Sequence, residues 1–526
     1  MPDAPRTEPW SRAEALERLT EAPFDVVVVG GGVTGAGLAR DAALRGLRTA
    51  LVEAADWAAG TSSRTTKFAH GGLRYLESLD FALVREALAE RAVLLTIAPQ
   101  LTQAAPFLLP VYAGFGRPSW KLRAGLSLYD ALAGRTRLGR HHMLDARGAL
   151  AREPGLRREG LKGAGVYWDA RIRDARLVVE TVADARRAGA VAANRCAVTG
   201  LERWKMGWTV EVEDVAAGGR FAVRGRVVMN ATGPWADRLR ALVAPDAPLL
   251  LAPTKGVHVV VPRAALPLRD PTALFAPDGR LVFAVPEGDW TFLGTTDTAD
   301  HGAVEDLSVA DADVAYLVEA ADAALERPLA VADVVGAWAG WRPLVRPASG
   351  RRRTDPSREE AIEETAPGLW TVTGGKLTTY RAMAEAALDR AIEAVGWRTR
   401  RCATAARPLV PEWTGGEGPP PDAPPSAVAR ARELFGPDAD DVFARWREDP
   451  ATAVPLAEDF PFTAAEVERA AREMVGSLED LVDRRLLSLP GGAPVSRYAL
   501  RAAAGAAAPT LGWDAERVDR EILAFR

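Results

Sequence analysis

Three groups of residues in this chain have types and spacings that suit chemistry on a phosphate-bearing ligand. The first is Gly30, Gly32 and Gly35, in the order Gly-x-Gly-x-x-Gly, the spacing of a dinucleotide-binding turn. In such a turn the first glycine permits the tight reversal and the second lets the backbone approach a pyrophosphate. The third lets the following helix pack close to its strand. Glu53 ends the next apolar run. A carboxylate there suits a ribose hydroxyl, and no arginine follows directly to meet a 2′-phosphate. The second group is Gly60 to Leu76, GTSSRTTKFAHGGLRYL. Its hydroxyls (Thr61, Ser62, Ser63), its cations, among them Lys67, and the His70-Gly71 pair suit phosphate and flavin-ring contacts. The third is Gly374-Gly375-Lys376-Leu377-Thr378, a glycine turn that opens a helix. A cation beside a helix N-terminus is unfavourable, so Lys376 points to an anionic partner.

These groups need elements to hold them. Val26 to Val29 is a run of four valines, the pattern of a parallel strand covered on both faces. A helix from Gly35 to Gly46 and a second strand, Thr49 to Val52, complete a βαβ unit. The helix start offers free N–H groups and a positive dipole end to the phosphates. The glycine motif alone does not separate FAD from NAD. Further on, Asp80 to Ala98 reads as a helix, and Pro106 to Tyr112 as a strand. Pro118 to Asp130 mixes Trp120, Leu122, Leu126 and Tyr129 with Lys121 and Arg123. Packing against its own protein is favoured over an anionic bilayer surface. Asp174 reads as the cap of a helix reaching Ala188. The strand from Arg226 ends in Ala231-Thr232-Gly233, a close backbone approach at Gly233. Strands are also expected at 256–261, 281–285 and 291–294, and a helix from Val309 to Leu325 with Ser308 as its cap. Residues 1–23 read as a leader with one short helix from Ser11 to Leu19.

With 526 residues the chain is too long for one core. Net charge is −4, so no global basic field serves a nucleic acid, and any anion site is local. Two cysteines and 5 histidines, widely scattered, give neither a disulfide framework nor a metal-ligand spacing, and point to a reducing compartment. The N-terminal stretch lacks a signal-peptide pattern and no run is long enough to span a bilayer.

Val29 to Gly46, with Asp41 and the Arg45-Gly46 pair, and then Lys67-Phe-Ala-His-Gly-Gly-Leu-Arg-Tyr-Leu-Glu77 resemble the FAD-dependent glycerol-3-phosphate dehydrogenases. Trp370 to Ala384, carrying Gly-Gly-Lys-Leu-Thr-Thr-Tyr-Arg, is similar to the same family, as is Leu478 to Arg485 more weakly. The resemblance implies an α/β fold of the D-amino-acid-oxidase/glutathione-reductase type. It would have a discontinuous Rossmann-like FAD-binding domain (about 24–100, 165–250 and 340–400) and a mixed-sheet substrate domain (about 101–164 and 251–339). A Pro/Gly-rich linker at 406–425 and a small all-helical domain at 426–526 would follow. It implies oxidation of sn-glycerol 3-phosphate to dihydroxyacetone phosphate, FAD as cofactor, and a cytoplasmic protein bound peripherally at the inner membrane face. No second nucleotide motif or cysteine pair is present, so electrons are expected to leave the flavin for membrane quinone. Oxygen is the competing acceptor, and an amino-acid or amine oxidase of the same fold is the alternative activity. A homodimer is compatible with the family. Neither a metal nor a nucleic-acid partner is expected.

Matched position by position, the resemblance selects His258 and Arg342 as catalytic groups. His258 is the base, because an imidazole suits proton acceptance near neutrality; Arg342 is the electrostatic clamp. It selects Arg74, Tyr75, Lys376 and, in a stretch that departs from the family pattern, Arg358 for the substrate phosphate. The neighbouring Arg351, Arg352 and Arg353 are the substitutes for Arg358. The cofactor set is Gly30, Gly32, Gly35, Glu53, Thr61, Ser62, Ser63, Lys67, His70, Gly71, Gly233, Gly375, Lys376, Leu377 and Thr378.

Overall fold

The computed structural model describes residues 10–114, 116–299, 302–346, 360–411, 416–487 and 495–525. The valine strand, Phe24–Val29, runs through the centre of the first sheet. It pairs in parallel with Thr49–Val52 on one side and with the end of Arg220–Asn230 on the other. Val26 to Val29 are at most 5% exposed, because the helices Val33–Leu44 and Asp174–Arg187 are among those that cover the sheet. Outward from there, Val191–Ala193 forms one edge, and Leu369–Gly374 then Glu360–Ala366 the other. Strands from three distant parts of the chain thus build one nucleotide sheet, and the α/β domain is discontinuous in sequence.

Ten strands make the second, mixed sheet among the described residues. Its long members are Thr102–Tyr112 and Leu161–Ile172, antiparallel to each other, and Thr254–Pro262, flanked by Trp290–Gly294 and Gly336–Arg342. Phe68–Ala69, residues 165–172 and residues 340–342 pair into this sheet, although the sequence reading groups them with the nucleotide part. The reason is strand length: Leu161–Ile172 runs uninterrupted for 12 residues and carries its far end into the substrate sheet.

The C-terminal unit is helical, with one short hairpin, Pro455–Ala457 with Phe460–Thr463. Thr463 caps the helix Ala464–Ala471, reciprocated by Glu466. A π-helical stretch, Asp480–Leu487, projects Arg484 and Arg485 onto Asp56 in the loop after the second strand. Arg484 Nε lies 2.9 Å from Asp56, and Arg485 donates two bonds of 2.9 and 2.8 Å to it. All three are buried. Breaking such a buried pair typically costs about 3–5 kcal/mol, so this contact welds the C-terminal unit to the nucleotide loop.

Two helix starts differ from expectation. Asp174 is the first residue of its helix and not its cap, because its carboxylate is drawn to Lys67, with Nζ 2.7 and 2.8 Å from the two oxygens. The helix expected from Val309 starts at Asp311, and the Asp313 carboxylate accepts the Ala310 N–H at 3.1 Å in place of a Ser308 cap. In the Trp120 helix, Ser119–Ala133, the residues Leu122, Leu126 and Tyr129 are buried and Trp120 is 74% exposed. No described helix is long and apolar enough to cross a membrane.

Candidate active site

The glycine turn is a backbone cradle with no space for side chains. Gly30 sits at φ +110°, and a Cβ there would lie 2.5 Å from the Ala231 carbonyl oxygen. A Cβ on Gly35 would lie 1.8 Å from the Gly30 oxygen. Gly32 is the residue before the helix Val33–Leu44, and a Cβ there would approach Ser62 Oγ at 3.1 Å. Ser62 Oγ accepts the Val33 N–H at 2.9 Å. The Glu53 carboxylate accepts N–H groups from Gly31 at 2.5 Å and Ala55 at 2.7 Å, which aims it across the turn. The crowding that forbids a Cβ on Gly30 and Gly35, beside the start of the helix Val33–Leu44, fits the ribose and pyrophosphate of a dinucleotide.

Beyond the turn opens a cavity of about 700 Å³ between the two sheets. Its lining includes Thr61, Thr66, His70, Arg74, Tyr75, His258, Arg342, Gly375, Lys376, Leu377 and Thr378. Thr61 Oγ1 donates to the Trp341 carbonyl at 2.7 Å and Thr378 Oγ1 accepts the His70 N–H at 3.2 Å, so the second and third sequence groups face one space. Gly375 (φ +67°) takes left-handed backbone in its lining, and Gly233 (φ +57°) does so just past the strand Arg220–Asn230. The hydroxyls, the glycine turn and the cation that line this space suit FAD.

His258 is 2% exposed. Its ring stacks on Trp338 at 4.8 Å and 12°, and Nε2 lies 3.0 Å from Thr66 Oγ1. Nδ1 has no hydrogen-bond partner among the described residues. Burial first, then Arg342 and Lys67, hold its pKa well below the ordinary imidazole value, so the ring is neutral near pH 7. Arg342 lies on the neighbouring strand, whose register sets Trp338 opposite His258 and Arg342 opposite Thr254. Its guanidinium donates to Asp297 Oδ1 at 2.8 Å, Thr295 Oγ1 at 2.9 Å and the Thr296 carbonyl at 2.7 Å. A Cβ on Gly256 would lie 2.6 Å from that guanidinium, so Gly256 makes its room. On the opposite wall, Lys376 Nζ sits 3.8 Å over the Tyr75 ring, and Arg74 beside it is exposed.

Lys67, Ser63 and Gly71, also predicted for the cofactor, do not line this cavity. The Lys67 ammonium is buried on Asp174 and the Ser63 carbonyl, and is no cavity-lining cation; a buried ammonium needs a paired carboxylate, and Asp174 supplies it. The Ser63 side chain is buried as well. The Gly71 N–H is taken by Tyr129 and Asp169, which leaves it no bond for a cofactor. Arg358 and Arg351 to Arg353 lie outside the described residues. Sequence reasoning did not single out Thr66, Trp338 or Asp297. Thr66 stands in the hydroxyl-rich stretch and Asp297 in the Thr295–Thr298 turn, but only strand pairing brings them to His258 and Arg342.

Comparison with known proteins agrees with this site. Residues 25–390 match the family of FAD dependent oxidoreductases, and residues 381–518 match the C-terminal domain of alpha-glycerophosphate oxidase. The chain is 37% identical to glycerol-3-phosphate dehydrogenase 2 of Mycobacterium tuberculosis, over 98% of this chain and 90% of that one. It is 36% identical to the alpha-glycerophosphate oxidase of Enterococcus casseliflavus, over 72% of each. Among solved structures, the glycerol-3-phosphate dehydrogenase of Bacillus halodurans complexed with FAD superposes with a TM-score of 0.75 at 28% identity, covering 97% of this chain and 95% of that one.

Proposed function

Because this FAD-dependent chain belongs to the glycerol-3-phosphate dehydrogenase and oxidase family, we propose that it oxidises sn-glycerol 3-phosphate to dihydroxyacetone phosphate and passes the electrons to a quinone. The observation that carries this reading is the pairing of a buried neutral His258 with Arg342 on adjacent strands, facing Arg74, Tyr75 and Lys376 across one cavity. A bound FAD would supply the hydride acceptor that oxidation of the carbinol carbon needs. The chain's own residues do the rest. Arg74 and Lys376 hold the phosphate, and Tyr75, stacked under Lys376, orients that ammonium. With its proton on Nδ1, His258 takes the hydroxyl proton at Nε2, directly or through the Thr66 hydroxyl 3.0 Å away. Arg342, fixed by Asp297, Thr295 and Thr296, stays protonated and stabilises the oxygen as negative charge develops.

Support for quinone comes from the likeness, nearly full-length, to a protein named a dehydrogenase. Oxygen as acceptor is the second reading, favoured by the likeness to an alpha-glycerophosphate oxidase. Peripheral attachment to the inner membrane face and a homodimer accompany the quinone reading, and vesicle co-sedimentation and sedimentation velocity test them. The central experiment is anaerobic titration of the yellow protein with glycerol 3-phosphate, followed by a quinone analogue or oxygen. Bleaching, then fast recovery with quinone and slow recovery with oxygen, is expected; no bleaching ends the reading, and fast recovery with oxygen makes the protein an oxidase.

A further inference from the structure

The turn that carries Arg74 and Tyr75 hangs from a buried polar knot that the chemistry above does not use. Asp169 lies in the strand Leu161–Ile172 and is 1% exposed. Donors from three other segments converge on its carboxylate. Arg91 Nη1, from the helix Phe81–Ile97, is at 2.7 Å. Tyr129 OH, from the Trp120 helix, lies 2.8 and 2.9 Å from the two oxygens. The Gly71 N–H is at 3.1 Å. That N–H is shared, since the Tyr129 oxygen accepts it at 2.9 Å while donating its own proton to Asp169. Burial pushes the Asp169 carboxyl pKa up, and Arg91 opposes the rise.

The geometry admits little play. A Cβ on Gly71 would lie 2.3 Å from the Tyr129 oxygen and 2.4 Å from Leu88. Gly72 follows at φ +77° and leads directly into the tight turn Leu73–Leu76. A Cβ on Gly72 would meet the Tyr75 ring at 2.5 Å and Lys376 Nζ at 3.4 Å. So only Gly72 and Leu73 separate the knot from Arg74 and Tyr75. A buried carboxylate is expensive unless every lone pair is served. Here three donors serve it, and one of them is the amide that begins this turn.

We infer that Asp169 and Tyr129 are positioning residues: through the Gly71 amide they set where Arg74 and Tyr75 stand in the cavity wall. The inference rests on the reading of Arg74 as a phosphate-holding group. The test uses the full-length, FAD-loaded enzyme. Tyr129→Phe removes one oxygen and keeps the ring; Asp169→Asn is the stronger variant. Anaerobic stopped-flow reduction by glycerol 3-phosphate gives an apparent substrate Kd and a limiting rate. Amide hydrogen exchange over residues 66–78 reports the turn without substrate. Tyr129→Phe should raise the apparent Kd about tenfold, the effect of one hydrogen bond to a charged group, with the limiting rate changed less than about twofold. FAD content should stay at the wild-type level and exchange at 66–78 should quicken. Asp169→Asn should move both readouts further the same way. Wild-type Kd or wild-type exchange in Tyr129→Phe overturns the inference. Arg74→Ala separates the two claims. If it raises Kd and Tyr129→Phe does not, the positioning role fails; if Arg74→Ala leaves Kd unchanged, the reading of Arg74 fails and the inference falls with it.

Discussion

The glycine turn and the His258–Arg342 wall solve different problems in one molecule. The turn is built from backbone within residues 30–35, closed by Ala231 from a neighbouring strand. It works by having nothing where a side chain would be. The wall is built from side chains of five segments: Thr66, His258, Thr295 to Asp297, Trp338 to Arg342, and Lys376 across from them. It works through directed hydrogen bonds and charge. A site made of excluded volume tolerates no added atom. A site made of polar contacts loses function in steps, one contact at a time.

That contrast can be broken or sharpened by experiment. Gly35→Ala should have the largest effect. The new Cβ would lie 1.8 Å from the Gly30 oxygen, so the helix start must shift, and FAD bound per chain, read by absorbance after purification, should fall more than about tenfold. Retained FAD in that variant would erase the distinction. His258→Ala should keep FAD and slow flavin reduction about 10²–10⁴-fold, as loss of a general base does; unchanged single-turnover reduction removes His258 from that role. Arg342→Ala should cost about 10²–10³-fold in the same measurement, with Asp297 left without this partner. Asp297→Asn, which keeps the shape, should cost less.

A pH experiment, compared between the wild type and a His258 variant, probes the wall. The folded His258 pKa lies well below its ordinary value, so on acidification the unfolded chain takes up a proton that the folded chain does not. The contribution of His258 to stability therefore declines as pH falls below about 6.5, the unfolded value, while Glu153, whose carboxyl burial pushes up to about 7, contributes with the opposite sign. His258→Gln should flatten that part of a denaturation series run from pH 7 to pH 5. The smallest effect is expected at the rim. Trp120, 74% exposed, should tolerate Ser with a stability change within about 0.5 kcal/mol and unaltered reduction by dissolved substrate; a large loss in either would move Trp120 from rim to wall.

The nucleotide unit was legible because its signals are local. Four valines, three glycines and a terminal acid stand in chain order, and each answers to a backbone constraint that neighbours in sequence impose. The helix Ala464–Ala471 carries signals that are just as local, the Thr463 cap and its reciprocal partner Glu466. A lysine in a hydroxyl-rich loop looks like a ligand cation, but the Lys67 ammonium pairs with Asp174, and nothing nearby in sequence announces that partner more than a hundred residues away. Asp169 drew no attention, since its partners sit at 71, 91 and 129.

The amino-acid order by itself therefore determined that a dinucleotide cradle, a hydroxyl-rich loop and a Gly-Gly-Lys turn exist. Periodicity, glycine spacing and caps act over a few residues and need no distant partner. Only the tertiary structure decided which groups face the cavity and which are spent holding it. That choice rests on strand register, which sets Trp338 beside His258 and Asp297 beside Arg342. It rests too on the rule that a buried charge must find its counter-charge wherever the chain has placed one.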